Sequence, residues 1–156
     1  MVDRKPVSIG IIGVGGMGRR HALNLQHHSG AGTITALYDL NSNNARQTAA
    51  ECDGAPVFDD PLALIRDDTV QAVLIASPDA THADYVLECL RCGKPVLCEK
   101  PLATHPDEAL KIIETESALG QHLVSVGFMR RFDPQHAAVK QAVVSGQLGR
   151  PILYKG

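Results

Sequence analysis

Several absences narrow the possibilities before any motif is read. No apolar run in the 156 residues approaches the ~20 that span a bilayer, so a membrane-crossing helix is not expected. Charge of one sign is not in excess. The 15 lysines and arginines against 17 acidic residues leave a net charge of −2, which argues against nucleic-acid and acidic-membrane partners. The opening "MVDRKPVSIG" holds Arg4 and Lys5 but lacks the apolar region and cleavage site of a signal peptide, so the expected location is cytoplasmic. Internal repeats, low-complexity tracts and flexible linkers are also missing. Only four cysteines occur, Cys52, Cys89, Cys92 and Cys98. The C-x-x-C in "ECLRCGK" has no second pair to complete a four-ligand zinc site, and its thiols read as small apolar residues near a helix end. Seven histidines are scattered, and the adjacent His27 and His28 would point about 100° apart on a helix. No metal is expected.

What is present alternates between two periodicities. Buried-strand runs are "VSIGIIGV", "TITALYD", "VQAVLIAS", "PVLCE" and "QHLVSVGF", with "APVF" a short strand at best. Between them lie helical patterns: "GMGRRHALNLQHH", "NSNNARQTAAEC", "DPLALIRD", "DATHADYVLECLRCG", "HPDEALKIIETESALG" and "DPQHAAVKQAVVSG". Continuous apolar strands separated by helices predict an α/β fold, a doubly wound parallel sheet with helices on both faces. This organisation is expected over residues 1–149. "GRPILYKG" then begins one more strand, so residues 150–156 read as the start of a further domain.

The strongest local signal is "GVGGMG", Gly13-x-Gly15-x-x-Gly18, placed after a buried strand and before a helix. Gly13 suits a tight turn, Gly15 a close backbone approach to pyrophosphate, and Gly18 close packing of helix on sheet. Gly16 opens the loop further, and Met17 sits within it. Asp39 follows 21 residues after Gly18, at the end of the second strand, where a carboxylate accepts hydrogen bonds from a ribose. Its negative charge predicts NAD over NADP, although the nearby Arg46 could partly accommodate a 2′-phosphate. A ligand-free glycine turn, and an Asp39 that merely caps the next helix, are the plain alternatives.

A second signal is "LCEKPLA", where an apolar strand ends in Glu99, Lys100 and Pro101. Residue chemistry alone leaves Lys100 open, either a catalytic ammonium or a solvated lysine at a strand end.

Four stretches, "GIIGVGGMGRRH", "LIASPDATH", "GKPVLCEKPLA" and "VGFMRRFDP", together resemble the glucose–fructose oxidoreductase / inositol dehydrogenase / MocA family over essentially the whole chain. "GFMRRFDP" is most similar to the inositol dehydrogenase branch. The resemblance implies an N-terminal Rossmann domain that binds NAD or NADP. It also implies a C-terminal α/β domain that supplies most of the substrate pocket and commonly forms oligomers. The reaction it implies is hydride transfer with a sugar or cyclitol carbinol. Carried over by residue, Gly13, Gly15 and Gly18 hold the pyrophosphate and Asp39 the ribose. Ser77 and Pro78 lie beside the cofactor, with Asp79 where the family usually has asparagine. His82 matches a recurrent histidine at the following helix start. Glu99 positions the cofactor ribose or orients Lys100, Lys100 is the catalytic group, and Met129 and Arg130 lie near the nicotinamide end.

The family's acid–base chemistry also uses a D-x-x-x-H pair in its second domain, and no such pair stands at a comparable place here. Three readings follow. The first is the NAD-binding half of a sugar or polyol dehydrogenase, nearly inert without its second domain. The second is a stand-alone NAD-binding or sensor module acting through a partner protein. The third is a minimal enzyme assembled from two chains. A homo-oligomer is admitted but not required.

Overall fold

Neighbouring side chains along each strand point to opposite faces, and this alternation sets the layers. The computed structural model describes residues 5–30 and 32–153. Strands β1 (Val7–Ile12), β2 (Gly32–Tyr38), β3 (Ala72–Ile75), β4 (Val96–Cys98) and β5 (Val124–Val126) form one sheet. All its pairs are parallel, in the order β2-β1-β3-β4-β5. The helices are α1 (Gly16–Asn24), α2 (Ser42–Glu51), α3 (Pro61–Arg66), α4 (His82–Arg91), α5 (Pro106–Leu119) and α6 (Pro134–Val144).

Ile12, Val73, Ile75, Val96 and Cys98 face one way, against Leu64 and Ile65 of α3, Val86 and Leu90 of α4, and Ile112 of α5. Ile11 and Leu74 face the other way, into the layer that contains Ala22 of α1 and Ala45 and Ala49 of α2. Each fully buried leucine or isoleucine contributes roughly 1.5–3 kcal/mol. The doubly wound sheet expected from the sequence is thus present, and helices cover both of its faces. On the second face the cover is incomplete. Ile9, Leu74, Leu97 and Leu123 border an open trough of about 720 Å³.

Local chemistry sets most helix starts. Asn41 caps α2 by accepting from the Asn43 N–H at 3.1 Å. Asp60 caps α3 by accepting from Leu62 and Ala63, both at 3.1 Å, and Pro61 supplies the first helical residue. Left-handed glycines end helices, as at Gly93 (φ 65°) after α4 and Gly120 (φ 63°) after α5. "APVF" contributes a single bridge, Val57 to Leu37.

The chain divides into two compact units, Met1–Val126 and Gly127–Gly156. The second holds a 3₁₀ turn, Met129–Arg131, and α6, which Asp133 caps through the Gln135 and His136 N–H groups. The His136 N–H is the chief cause of an Asp133 carboxyl held below its usual range. The strand expected from "GRPILYKG" does not form over Pro151–Leu153. A strand takes its hydrogen bonds from a neighbour, and no described residue pairs with this segment. Tyr154, Lys155 and Gly156 lie outside the described residues.

A buried charge joins α3 to α4. Glu88, with its side chain 8% exposed, accepts from Arg66 Nε at 2.6 Å and from Arg91 Nη1 at 2.7 Å. Hydrogen bonds from Arg91, then Arg66, hold its carboxyl below the ordinary 4.5. A depressed folded value means that the stabilisation is complete above the unfolded value. It is lost as pH falls through the folded one. We expect Glu88→Gln to destabilise the protein by roughly 1–3 kcal/mol at pH 7 in urea denaturation. The difference from wild type should shrink as pH is lowered below 4.5. A difference unchanged down to pH 3 would remove the ion pairs as its cause.

Candidate cofactor site

The order β2-β1-β3 means that the chain leaves β1 in one direction and returns to its other side. Connections from the carboxyl ends of β1 and β3 therefore diverge and leave a crevice, the usual ligand position in a parallel sheet. A cleft of about 500 Å³ opens there. Gly13 and Gly15, Asp39 and Leu40, and Ser77 and Pro78 line it, joined by Tyr38, Ala76, Thr81 and Tyr85.

The glycine loop is built from two kinds of constraint. A Cβ on Gly18 would stand 1.8 Å from the Gly13 carbonyl oxygen, and one on Gly13 (φ +83°) would stand 2.5 Å from the Ser77 nitrogen. These two glycines let α1 and the end of β3 close onto the loop. Gly15 and Gly16 have no neighbour within 4 Å of the position a Cβ would take, so they leave the loop's outer side open. Gly15 begins α1 with no side-chain cap, unlike Asn41 at α2 and Asp60 at α3. The first-turn N–H groups of α1 are left as donors beside the positive end of the helix, the arrangement that receives a phosphate.

Asp39 faces this loop. Its Oδ2 accepts the Val14 N–H at 2.8 Å, while Oδ1 accepts the Asn41 N–H at 2.8 Å and Asn44 Nδ2 at 3.3 Å. A carboxylate offers roughly four acceptor positions, so capacity remains for a ribose hydroxyl. Asp39 thus pins the glycine loop to the start of α2 while lining the cleft. Arg46 is engaged elsewhere, donating to Ser42 Oγ at 2.9 Å and Asn43 Oδ1 at 2.8 Å.

On the β3 side, Thr81 Oγ1 donates to the Pro78 carbonyl at 2.8 Å and lies 2.7 Å from Ser77 Oγ. A hydroxyl has one hydrogen, so Ser77 is the donor in that pair. His82 is 1% exposed, with Nε2 2.9 Å from the Ser77 carbonyl oxygen and Nδ1 2.6 Å from that of Pro101. The Lys100–Pro101 bond is cis.

At the end of β4, the Glu99 N–H donates to the Ile75 carbonyl at 2.9 Å and extends the β3–β4 ladder. Its Oε1 lies 2.8 Å from His21 Nε2 of α1, and its Oε2 accepts the Lys100 N–H at 3.3 Å. Lys100 is exposed, and its ammonium has no hydrogen-bond or ion-pair partner among the described residues. Burial pushes the neighbouring Cys98 thiol up to about 12, so it remains a neutral donor to the Glu99 carbonyl. Cys89 is likewise pushed up to about 12 by burial and offers no thiolate.

The first unit therefore gathers Gly13, Gly15, Asp39, Ser77 and Pro78 around one cleft, with Gly16, Met17 and Gly18 on the adjoining start of α1. Met129 and Arg130 belong to the second unit, where Arg130 pairs with Asp133 at 3.2 Å. Sequence reasoning did not pick out Val14, Leu40, Thr81, Tyr85 or His21. Leu40 follows Asp39 directly and Thr81 lies within "LIASPDATH", but an apolar or hydroxyl side chain carries no spacing signature of its own. His21 lies three residues past Gly18, one turn along α1, which could have placed it on the side of the glycine loop.

The uncapped helix, the open side at Gly15 and Gly16, the Asp39 carboxylate and the cleft suit a dinucleotide. They define an NAD-binding Rossmann domain. The chain belongs to the Gfo/Idh/MocA oxidoreductase family, whose "NAD-binding Rossmann fold" description matches residues 7–128. It is 53% identical to inositol 2-dehydrogenase of Rubrobacter xylanophilus, over 99% of this chain and 44% of that protein. It is 45% identical to inositol 2-dehydrogenase of Paracoccus denitrificans, over 94% of this chain and 44% of the relative. Among solved structures it resembles myo-inositol dehydrogenase from Lactobacillus casei in complex with NAD(H) and myo-inositol. There the TM-score is 0.90 and the identity 32%, covering 94% of this chain and 44% of that one. The chain thus spans somewhat under half the length of the relatives it matches. Among its described residues no helix is long and apolar enough to cross a membrane.

The two constraints on the glycines separate experimentally. Gly18→Ala should lower the thermal unfolding midpoint, since its Cβ meets backbone, and should abolish NADH binding. Gly15→Ala should leave the midpoint within about 2 °C, as a surface substitution should, and weaken NADH at least tenfold in a fluorescence titration. Equal stability losses in both variants would mean that Gly15 also serves packing.

Proposed function

We propose that this chain is the NAD-binding half of an oxidoreductase that moves hydride between NAD and a carbinol of a cyclitol or sugar, with myo-inositol the leading substrate. Support comes from the inositol dehydrogenases that match nearly all of this chain. The single observation that carries the reading is the Lys100 ammonium, without a partner among the described residues, at the carboxyl end of β4, the end of the sheet at which the glycine loop also lies.

The chain's own groups divide the work. N–H groups at the start of α1 take the pyrophosphate, helped by the space at Gly15 and Gly16, with Met17 beside them. Asp39 takes the adenosine ribose, while Leu40, Pro78 and Tyr85 offer an apolar wall for the adenine. Ser77 and Pro78 form the opposite lip. NAD, when bound, supplies the hydride acceptor. Lys100 donates to the carbinol oxygen and stabilises the negative charge that develops there as hydride leaves the carbon, while the hydroxyl proton passes to the D-x-x-x-H acid–base pair that the family resemblance implies for the second domain. Glu99, braced by His21, holds the cofactor's other ribose and sets the direction of Lys100. Arg46 bounds the ribose side, and His82 supports the loops from beneath. Met129 and Arg130 are assigned to the nicotinamide end by the family resemblance alone.

The remaining substrate contacts belong to the C-terminal portion that the relatives carry beyond the matched region. The 156-residue chain is accordingly expected to bind cofactor and turn over little by itself. A homo-oligomer fits the same reading, as does a cytoplasmic location, where the four free cysteines stay reduced.

Titration of this chain should give NADH binding with NADPH at least tenfold weaker, because a 2′-phosphate would meet the Asp39 carboxylate. Asp39→Asn should narrow that ratio. Equal affinities for the two cofactors in wild type would overturn the NAD assignment. In a chain extended by the C-terminal portion of the Rubrobacter xylanophilus relative, Lys100→Met should lower turnover of myo-inositol by two orders of magnitude or more. NADH affinity should stay within about threefold. Surviving turnover would exclude Lys100 as the group that handles the carbinol.

A further inference from the structure

His82 has a hydrogen-bond inventory that an ordinary neutral imidazole cannot satisfy. The ring is 1% exposed, so water does not complete its bonding. Nδ1 lies 2.6 Å from the Pro101 carbonyl oxygen, and Nε2 lies 2.9 Å from the Ser77 carbonyl oxygen. Carbonyl oxygens only accept, and a neutral imidazole has one N–H and one bare lone pair. In either neutral tautomer one nitrogen lone pair would face an oxygen lone pair at hydrogen-bond distance. Two N–H donors remove the conflict.

The two carbonyls belong to the two loops on which the site depends. Ser77 ends β3, lines the cleft, and donates its hydroxyl to Thr81. Pro101 follows Glu99 and Lys100 at the end of β4. No β-ladder bond reaches this far, since the β3–β4 register ends at Ile75 and Cys98 and the last ladder contact is the Glu99 N–H. Beyond that point the imidazole is a direct tie between the loops. It is anchored at the first residue of α4, whose backbone N–H is itself held by the Asp79 carbonyl.

We infer that His82 is a positioning residue, a doubly protonated imidazole that clamps the Ser77 carbonyl to the Pro101 carbonyl and thereby fixes Lys100 relative to the cofactor cleft. The charged groups nearest in sequence to its contacts are Asp79 on the preceding turn, Asp84 on α4, and Glu99 and Lys100 flanking Pro101. None of them makes a hydrogen bond to the ring. The ring protons thus go to backbone. The functional half of this inference rests on the cofactor reading above; the state of the ring does not.

The test uses this chain uniformly labelled with ¹⁵N. Long-range ¹H–¹⁵N correlation at pH 7 should show hydrogens bonded to both ring nitrogens of His82. A single protonated nitrogen would overturn the clamp, whether or not the chain binds NADH. His82→Phe keeps the ring volume and removes both donors, and it should weaken NADH at least tenfold. His82→Gln, whose amide retains donors toward the carbonyls, should recover affinity to within about threefold of wild type. Wild-type affinity in His82→Phe would overturn the positioning role. So would a His82→Gln variant that folds but binds no better than His82→Phe. Should His82→Phe fail to fold, the wild-type ring spectrum and a comparison of His82→Gln with wild type decide the matter. If wild type binds no NADH while both ring protons are present, the cofactor reading fails and the clamp itself stands.

Discussion

Among the described glycines, the closest approach that a larger residue would forbid is that of α1 to the Gly13 carbonyl. A single Cβ at Gly18 would sit inside that oxygen. Because α1 lies so close, its first turn is directed at the end of β1, with no side chain interposed. Gly13 in turn lets the loop pass against the backbone at Ser77, so β1 and β3 end side by side. The Asp39 carboxylate then holds the loop by its Val14 N–H, and α2 starts from the same acid. Three strand ends and two helix starts are fixed by contacts that permit almost no added atoms.

This tightness makes a division of labour intelligible. Asp39 both lines the cleft and ties the glycine loop to α2, so the local turn carboxylate and the cleft-lining acid are one side chain. Glu99 has the same double character, extending the ladder with its backbone and reaching α1 through His21. Lys100 differs. Nothing described restrains its ammonium, which suits a group whose partner is a bound molecule. Its backbone position comes from its neighbours, Glu99 before it and Pro101 after it.

Much of the fold was legible because it rests on periodicity. Continuous apolar runs such as "VQAVLIAS" predicted strands buried on both faces, and the intervening amphipathic segments predicted the helices that cover them. The glycine loop was legible because its requirement is steric and falls at fixed spacing. The strand expected at "GRPILYKG" was not formed over its described residues, because a strand is a property of a pair and its partner cannot be read from its own residues. His82 was visible only as a recurrent histidine in a resemblance. Its spacing gives no sign that both its nitrogens meet carbonyls from loops 19 and 5 residues away in sequence.

The sequence by itself determined the order of strands and helices, the place of the glycine loop, the acid at Asp39 and the Glu99–Lys100–Pro101 turn. Each depends on local periodicity, on backbone sterics or on residue type. Only the tertiary structure decided which of these share a space. The return of the chain across β1 creates the cleft, brings His21 onto Glu99, and seats His82 between two loop carbonyls. Those contacts join residues 78, 19 and 5 positions apart. They arise from the packing of helices on a sheet, which the local pattern permits but does not specify.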